Sequence, residues 1–258
     1  MSKLRDDIDD KLTQLGQEEE CYDFSNQCDD EVQWANERIG LLSALTIPDN
    51  IEDLTLVKTR FDGLDRDVAK RAPQLSLLEE KRKQFPPCKS DAIEADADTV
   101  FAPAIMDSSL NSAVAQWKEL SDVVTAKKEE FTHAEKIQKF LLDGSETKTW
   151  IGEKAEIIDA TRDYGDSLSG VLALQRKLAI MERDVNAIKS KIDDLNSQAS
   201  KLLEQYPEDE TKIKEMLESI DESFLKLENL LKLREEKLGQ AGNLQTFMRD
   251  LAEFQVLQ

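Results

Sequence analysis

FLLDGSETKTW, residues 140–150, lies near the middle of a 258-residue chain, and its reading decides the fold. Its centre is polar and carries Gly144 and Ser145, as a flexible tether between two domains would. The flanking apolar positions argue otherwise. Phe131, Ala134, Ile137 and Phe140 recur at helical spacing, and apolar residues resume at Trp150 with no proline between. The pattern predicts one helix running through the stretch. Gly144 then sits inside it at about 1 kcal/mol relative to alanine and softens the junction.

Working outward, the same frame recurs. Phe24 precedes Trp34 by ten residues, Phe140 precedes Trp150 by ten, and Phe247 precedes Leu257 by ten. LGQEEECYDF (15–24) matches LGQAGNLQTF (238–247), LDRDV (64–68) matches MERDV (181–185), and WKELSDVVTAKKEEF (117–131) matches FLKLENLLKLREEKL (224–238). Matches in the same order, offset by 107 to 117 residues or, for the LGQ pair, by 223 residues and thus two repeats, predict an internal repeat.

Within a repeat the apolar period is helical. Val171, Leu174, Leu178, Met181, Val185, Ile188, Ile192, Leu195, Ala199 and Leu202 alternate steps of three and four, an unbroken heptad seam. A second seam follows through Ile213, Leu217, Ile220, Phe224, Leu227 and Leu231, then the charged Arg234, then Leu238. YPEDE (206–210) separates them as a turn, because Pro207 cannot continue a helix and acids favour the start of the next. A shorter segment around Trp150, Ile151, Ile157 and Ile158 precedes both and ends at RDYGDS (162–167). Each unit is therefore one short and two long helices. A 3.5-residue period winds such helices left-handedly, so the expected fold is all-α, tandem three-helix coiled-coil bundles joined by a continuous helix.

Composition bounds the function. Charged residues make up 34% and aromatic residues 6%, with nine glycines and six prolines, which suits long helices better than sheets. A net charge of −20 opposes nucleic acid and anionic lipid heads. KRK (81–83), flanked by acids, reads as a solvated face. Neither a long apolar run nor a signal-peptide pattern is present, so no direct membrane insertion is expected. Cys21, Cys28 and Cys88 are too few and too odd for a disulfide framework and point to a reducing, cytoplasmic setting.

The repeated Trp in the first helix, Trp117 in the third and DYGDSLSGVLALQRK (163–177) opening the second resemble tandem spectrin repeats. The resemblance divides the chain into the end of a preceding repeat's third helix (1–18), a first repeat (19–141), and a second repeat with the start of a following helix (142–258). It implies a structural rod or scaffold segment of an actin- and membrane-associated cytoskeletal protein, most like a spectrin, with β-spectrin and α-actinin rods in view. Implied partners are other cytoskeletal proteins, with two open alternatives: a repeat pair that binds an ankyrin-type adaptor, or a rod that pairs antiparallel with a second rod. A plakin or nesprin segment would share the architecture. Phe224 stands where the third-helix Trp is expected in the second repeat.

Candidate sites are few. No cofactor, metal or catalytic set is expected: His133 is the only histidine and lies off the seam, where exposure is expected. Cys21 and Cys28, seven apart, share a helix face and read as small buried hydrophobes rather than metal ligands. Trp34, Trp117, Trp150 and Phe224 read as core. The first repeat departs from the frame at Pro73, which removes a helical hydrogen bond and predicts a kink, and at a long second connection, PPCKSDAIEADADTVFAPAIMDSS (86–109). That connection either folds back on the bundle end or, with Pro73, forms a partner-docking surface through Val100, Phe101, Pro103 and Ile105.

Overall fold

The computed structural model describes residues 2–85, 97–160 and 167–256. Five long helices follow in chain order: α1 (Ser2–Ser43), α2 (Ile51–Gln84), α3 (Ala97–Ala160), α4 (Leu168–Gln205) and α5 (Glu210–Val256). Two helix starts are capped by side chains. Asn50 Oδ1 accepts from the Asp53 N–H at 2.7 Å, and Ser167 Oγ accepts from the Gly170 N–H at 3.3 Å, each satisfying a donor the helix cannot pair itself. Between α4 and α5 the chain makes a single 3-10 turn, Pro207–Asp209, at the expected YPEDE turn.

The chain forms two compact units, residues 1–134 and 135–258. The first unit draws on α1, α2 and the early part of α3. Its core joins Ala35, Leu42, Leu54, Phe61, Trp117, Leu120 and Phe131. A second cluster gathers Phe24, Cys28, Leu78, Met106 and Ala113. The second unit draws on the rest of α3 with α4 and α5. Ile137, Phe140, Ile151 and Ile158 of α3 meet the buried α4 positions from Val185 to Leu202 and Ile213, Ile220 and Leu227 of α5. Both predicted seams hold their register: every member named on α4 and α5 is buried or half-buried, including Arg234.

Residues 140–150 are helical throughout, inside the 64-residue α3. Their polar centre has a packing reason. Phe140, Gly144, Thr147 and Ile151 are all buried, at steps of four, three and four, so the seam passes through the polar stretch on its smallest residues. A Cβ at Gly144 would stand 2.7 Å from Met216 Cγ and 2.9 Å from Met216 Sδ on α5. Thr147 donates its hydroxyl to the Asp143 carbonyl at 2.7 Å. The exposed polar groups reach sideways: Asp143 pairs with Lys191 of α4 at 3.7 Å, and Lys148 donates to Ser219 Oγ of α5 at 2.6 Å. Gly144 also has a role in packing that periodicity does not show. It lets α5 approach α3.

Two expectations change. Residues 97–109, assigned to the long connection, belong to α3, where the acidic and alanine-rich run supports helix once Met106 and Ala113 have a core to enter; residues 86–96 lie outside the described residues, as does Leu257. The second concerns only the extent of α2: Pro73, expected to kink it, lies inside the helix, which continues to Gln84. Pro73 lies on the exposed face, where water can bond the carbonyl its missing N–H leaves unpaired.

The glycines make opposite predictions. Gly144→Leu should lower second-unit stability in urea by about 1–3 kcal/mol through overpacking. Gly63→Ala, where a Cβ meets nothing within 4 Å, should raise stability by up to about 1 kcal/mol. Equal shifts of the same sign would show that Gly144 is not a contact point.

Candidate functional site

The seam of the first unit repeats that of the second, displaced by 116 residues: Phe24, Cys28, Glu31 and Ala35 occupy the places of Phe140, Gly144, Thr147 and Ile151. A glutamate at a buried heptad position needs partners for each oxygen, since an unpaired buried carboxylate costs several kcal/mol. Glu31 is 3% exposed, and the other two helices supply those partners. From α2, Arg71 donates through Nε at 3.1 and 3.2 Å and through Nη2 at 3.0 Å. From α3, Trp117 donates its indole Nε1–H to Oε2 at 3.3 Å.

Aromatic groups close the arrangement. Trp34 and Trp117 stack at 5.4 Å between centroids and 19° between planes, a pairing that adds about 0.5–1.5 kcal/mol beyond area burial. Arg71 lies 4.9 Å from the Trp34 ring and Arg38 lies 5.1 Å from it, so the ring faces meet cations. Arg71 thus serves the carboxylate and the ring together, which its planar fork permits and a lysine would not. The result is one polar tie across α1, α2 and α3 at a fixed level. No reactive oxygen is left over: the arrangement can hold helices in register, and it presents no general base to a substrate.

A second set lies at the other end of α2. Arg82 Nη2 donates to Asp107 Oδ2 of α3 at 2.9 Å, and Lys81 donates to Gln27 of α1 at 3.2 Å. Together with Arg71–Glu31, these pairs show α1 and α2 running antiparallel. Cys28 is fully buried, and Cys21 is half-buried with its thiol 3.3 Å from Met106 Sδ. Burial pushes the Cys28 thiol up to about 11, with Asp29 and Glu31 adding to the shift, and burial also raises Cys21. Among the described residues, no cluster of three or more His, Cys, Asp or Glu is placed to hold a metal ion, and no helix is long and apolar enough to cross a membrane.

Of the residues singled out from sequence, Trp117 is buried, while Trp34, Trp150 and Phe224 are half-buried beside their cores. In the second unit the seam itself passes through Ile151, one position beyond Trp150. His133 is half-buried rather than exposed. Val100, Phe101 and Pro103 fall in the first turns of α3, Ile105 is half-buried on that helix, and Pro73 is exposed on α2. Sequence reasoning missed Glu31. Its signal is a charge in the seam position that follows Phe24 and Cys28, where apolar periodicity alone does not single it out.

Residues 135–240 match the family model of the spectrin repeat. The chain is similar to the spectrin beta chain of Drosophila melanogaster, 30% identical over 234 residues, covering 91% of this chain and 10% of that protein. It is 29% identical over 221 residues to the erythrocytic spectrin beta chain of Mus musculus, covering 86% and 10%. With the erythrocytic spectrin alpha chain 1 of the same organism, identity is 21% over 240 residues, covering 90% and 9%. The chain spans about a tenth of the length of these curated relatives.

Glu31→Ala should cost about 2–4 kcal/mol, because Arg71 and the Trp117 N–H lose a buried acceptor. Arg71 is 38% exposed, so the Glu31–Arg71 coupling in a double-mutant cycle should be smaller, about 1–2 kcal/mol. A loss under about 0.5 kcal/mol for Glu31→Ala would remove the tie from the fold's support. Cys28 supplies a pH test. Its folded pKa exceeds the unfolded value of 9.0, so above pH 9 the native state retains a proton the unfolded chain has lost. Stability should therefore fall between about pH 9 and pH 11, and less steeply in Cys28→Ala.

Proposed function

This chain belongs to the spectrin-repeat family, and we propose that it is a structural segment of a cytoskeletal protein at the cell cortex, acting as an elastic spacer rather than a catalyst. Its partners are then other cytoskeletal proteins, an ankyrin-type adaptor or a second rod among them. One observation carries the mechanical reading. A single helix, α3, supplies Phe131 to the core of the first unit and Ile137 and Phe140 to the core of the second.

Tension along the backbone at the unit boundary is thus borne by an i to i−4 hydrogen-bond ladder with no loop to pay out first. A bundle yields when its own seam opens. Each seam has its own fastening: Glu31 with Arg71 and Trp117 in the first unit, and the close approach of Gly144 to Met216 in the second. Opening one unit lengthens the chain, and the shared helix passes the disturbance to the other unit's core, a nearest-neighbour coupling.

Breaking the ladder at the unit boundary tests this reading. Glu135 is exposed on α3, and proline there removes a hydrogen bond and clashes with the preceding turn at about 3 kcal/mol. Under constant-velocity pulling, the unaltered chain should show both units opening in one event in a sizeable share of traces. Glu135→Pro should convert these to two separate events. If the share of single events is the same in both, helix continuity does not pass load between the units.

A further inference from the structure

The first unit carries a groove that the spacer role does not use. It lies between α1 and α2, open to solvent, with a volume of about 580 Å³. Leu41 of α1, Leu45 just beyond its end and Leu64 of α2 form its apolar floor. Leu42, one position on from Leu41, is fully buried in the core, whereas Leu41 remains 47% exposed. Midway along α2, Gly63 leaves a notch in the wall, since a Cβ there would meet nothing within 4 Å. That glycine has no turn to make and no neighbour to clear. The notch admits an incoming side chain against helix backbone.

The rim reverses the sign of the molecule. On a chain of net charge −20, the groove is lined by Arg60, Arg66 and Lys70 against a single acid, Asp67. All three cations are exposed. Arg66 bonds the Asp62 carbonyl through Nε at 3.0 Å, which leaves its charge unneutralised by any carboxylate in that bond. A groove between α4 and α5 of the second unit is lined instead by Glu182, Glu235 and Glu236 with Lys232, so a basic rim is not shared by every groove between these helices.

We propose that the α1–α2 groove of the first unit is a docking site for an acidic amphipathic helix of a partner protein. A leucine-type ridge at helical spacing seats on Leu41, Leu45 and Leu64 and enters the notch at Gly63, while flanking Asp or Glu side chains meet Arg60, Arg66 and Lys70. This is helix-in-groove recognition, with apolar anchors for affinity and rim charges for orientation. A small-molecule site would need buried, converging polar groups, which this open floor does not offer. A nucleic acid offers no apolar ridge to fill the leucine floor, and the flat face of a membrane cannot enter a groove between helices.

The test uses the full 258-residue chain and two synthetic fluorescent peptides of about 18 residues, long enough for a stable helix when bound. Both carry leucine at i, i+3 and i+7; one is flanked by glutamate and the other by lysine. The glutamate peptide should bind saturably by anisotropy, weaken as salt is raised, and exceed the lysine peptide at least tenfold. Gly63→Leu, which fills the notch without a clash, should reduce binding at least tenfold with helicity unchanged, as should Arg60→Glu combined with Lys70→Glu. Any of three results overturns the proposal: no saturable binding of the glutamate peptide, equal binding of the two peptides, or full affinity in both folded variants. Binding of the chain to phosphatidylserine vesicles that Arg60→Glu/Lys70→Glu abolishes, with no peptide binding, would assign the groove to a membrane surface instead.

Discussion

A seven-residue seam must be filled at every level, and this fold is governed by how the chain fills it where leucine is absent. Three helices around a common axis bring side chains together about every 3.5 residues, and an empty level is a cavity while an unpaired polar level is a desolvated charge or dipole. In the first unit one level is taken by Glu31, and the other two helices answer with Arg71 and Trp117. At the corresponding level of the second unit stands Thr147, which bonds its own helix at the Asp143 carbonyl. One level earlier, Cys28 and Gly144 hold corresponding places in the two units as small residues with different neighbours. Cys28 packs with Phe24, Leu78 and Met106, and Gly144 lies against Met216.

This difference gives the two units distinct characters within one frame. The second is fastened by shape, through close helix approach and a nearly continuous apolar seam. The first is fastened partly by a directional polar tie, with stacked tryptophans and cations over the ring. Apolar packing slides with little penalty from one level to the next, whereas a bidentate carboxylate–guanidinium contact has one geometry. Glu31 therefore fixes the vertical register of α1 against α2 and α3. The first unit also holds the groove rimmed with cations, so the unit with the more specific internal geometry presents the more specific surface.

The structural role follows from economy of chemistry as much as from family. Glu31 is buried and paired, and the only histidine, His133, is a half-buried helix residue. A long helix that enters two cores in succession is useful where force or spacing must pass along a backbone.

Sequence alone determined the helices, their order, the register of the α4 and α5 seams and the helical reading of residues 140–150. These rest on periodicity, which is a property of neighbours three and four apart and is written directly in the chain. Tertiary structure decided which residues meet. Glu31 finds Arg71 forty positions away and Trp117 eighty-six away, and no local pattern announces either contact. For the same reason the packing role of Gly144 emerged only with Met216 against it, and residues 97–109 looked like a loop until Met106 had a core to enter. A residue's period can be read from its neighbours in sequence; its purpose depends on neighbours that only folding supplies.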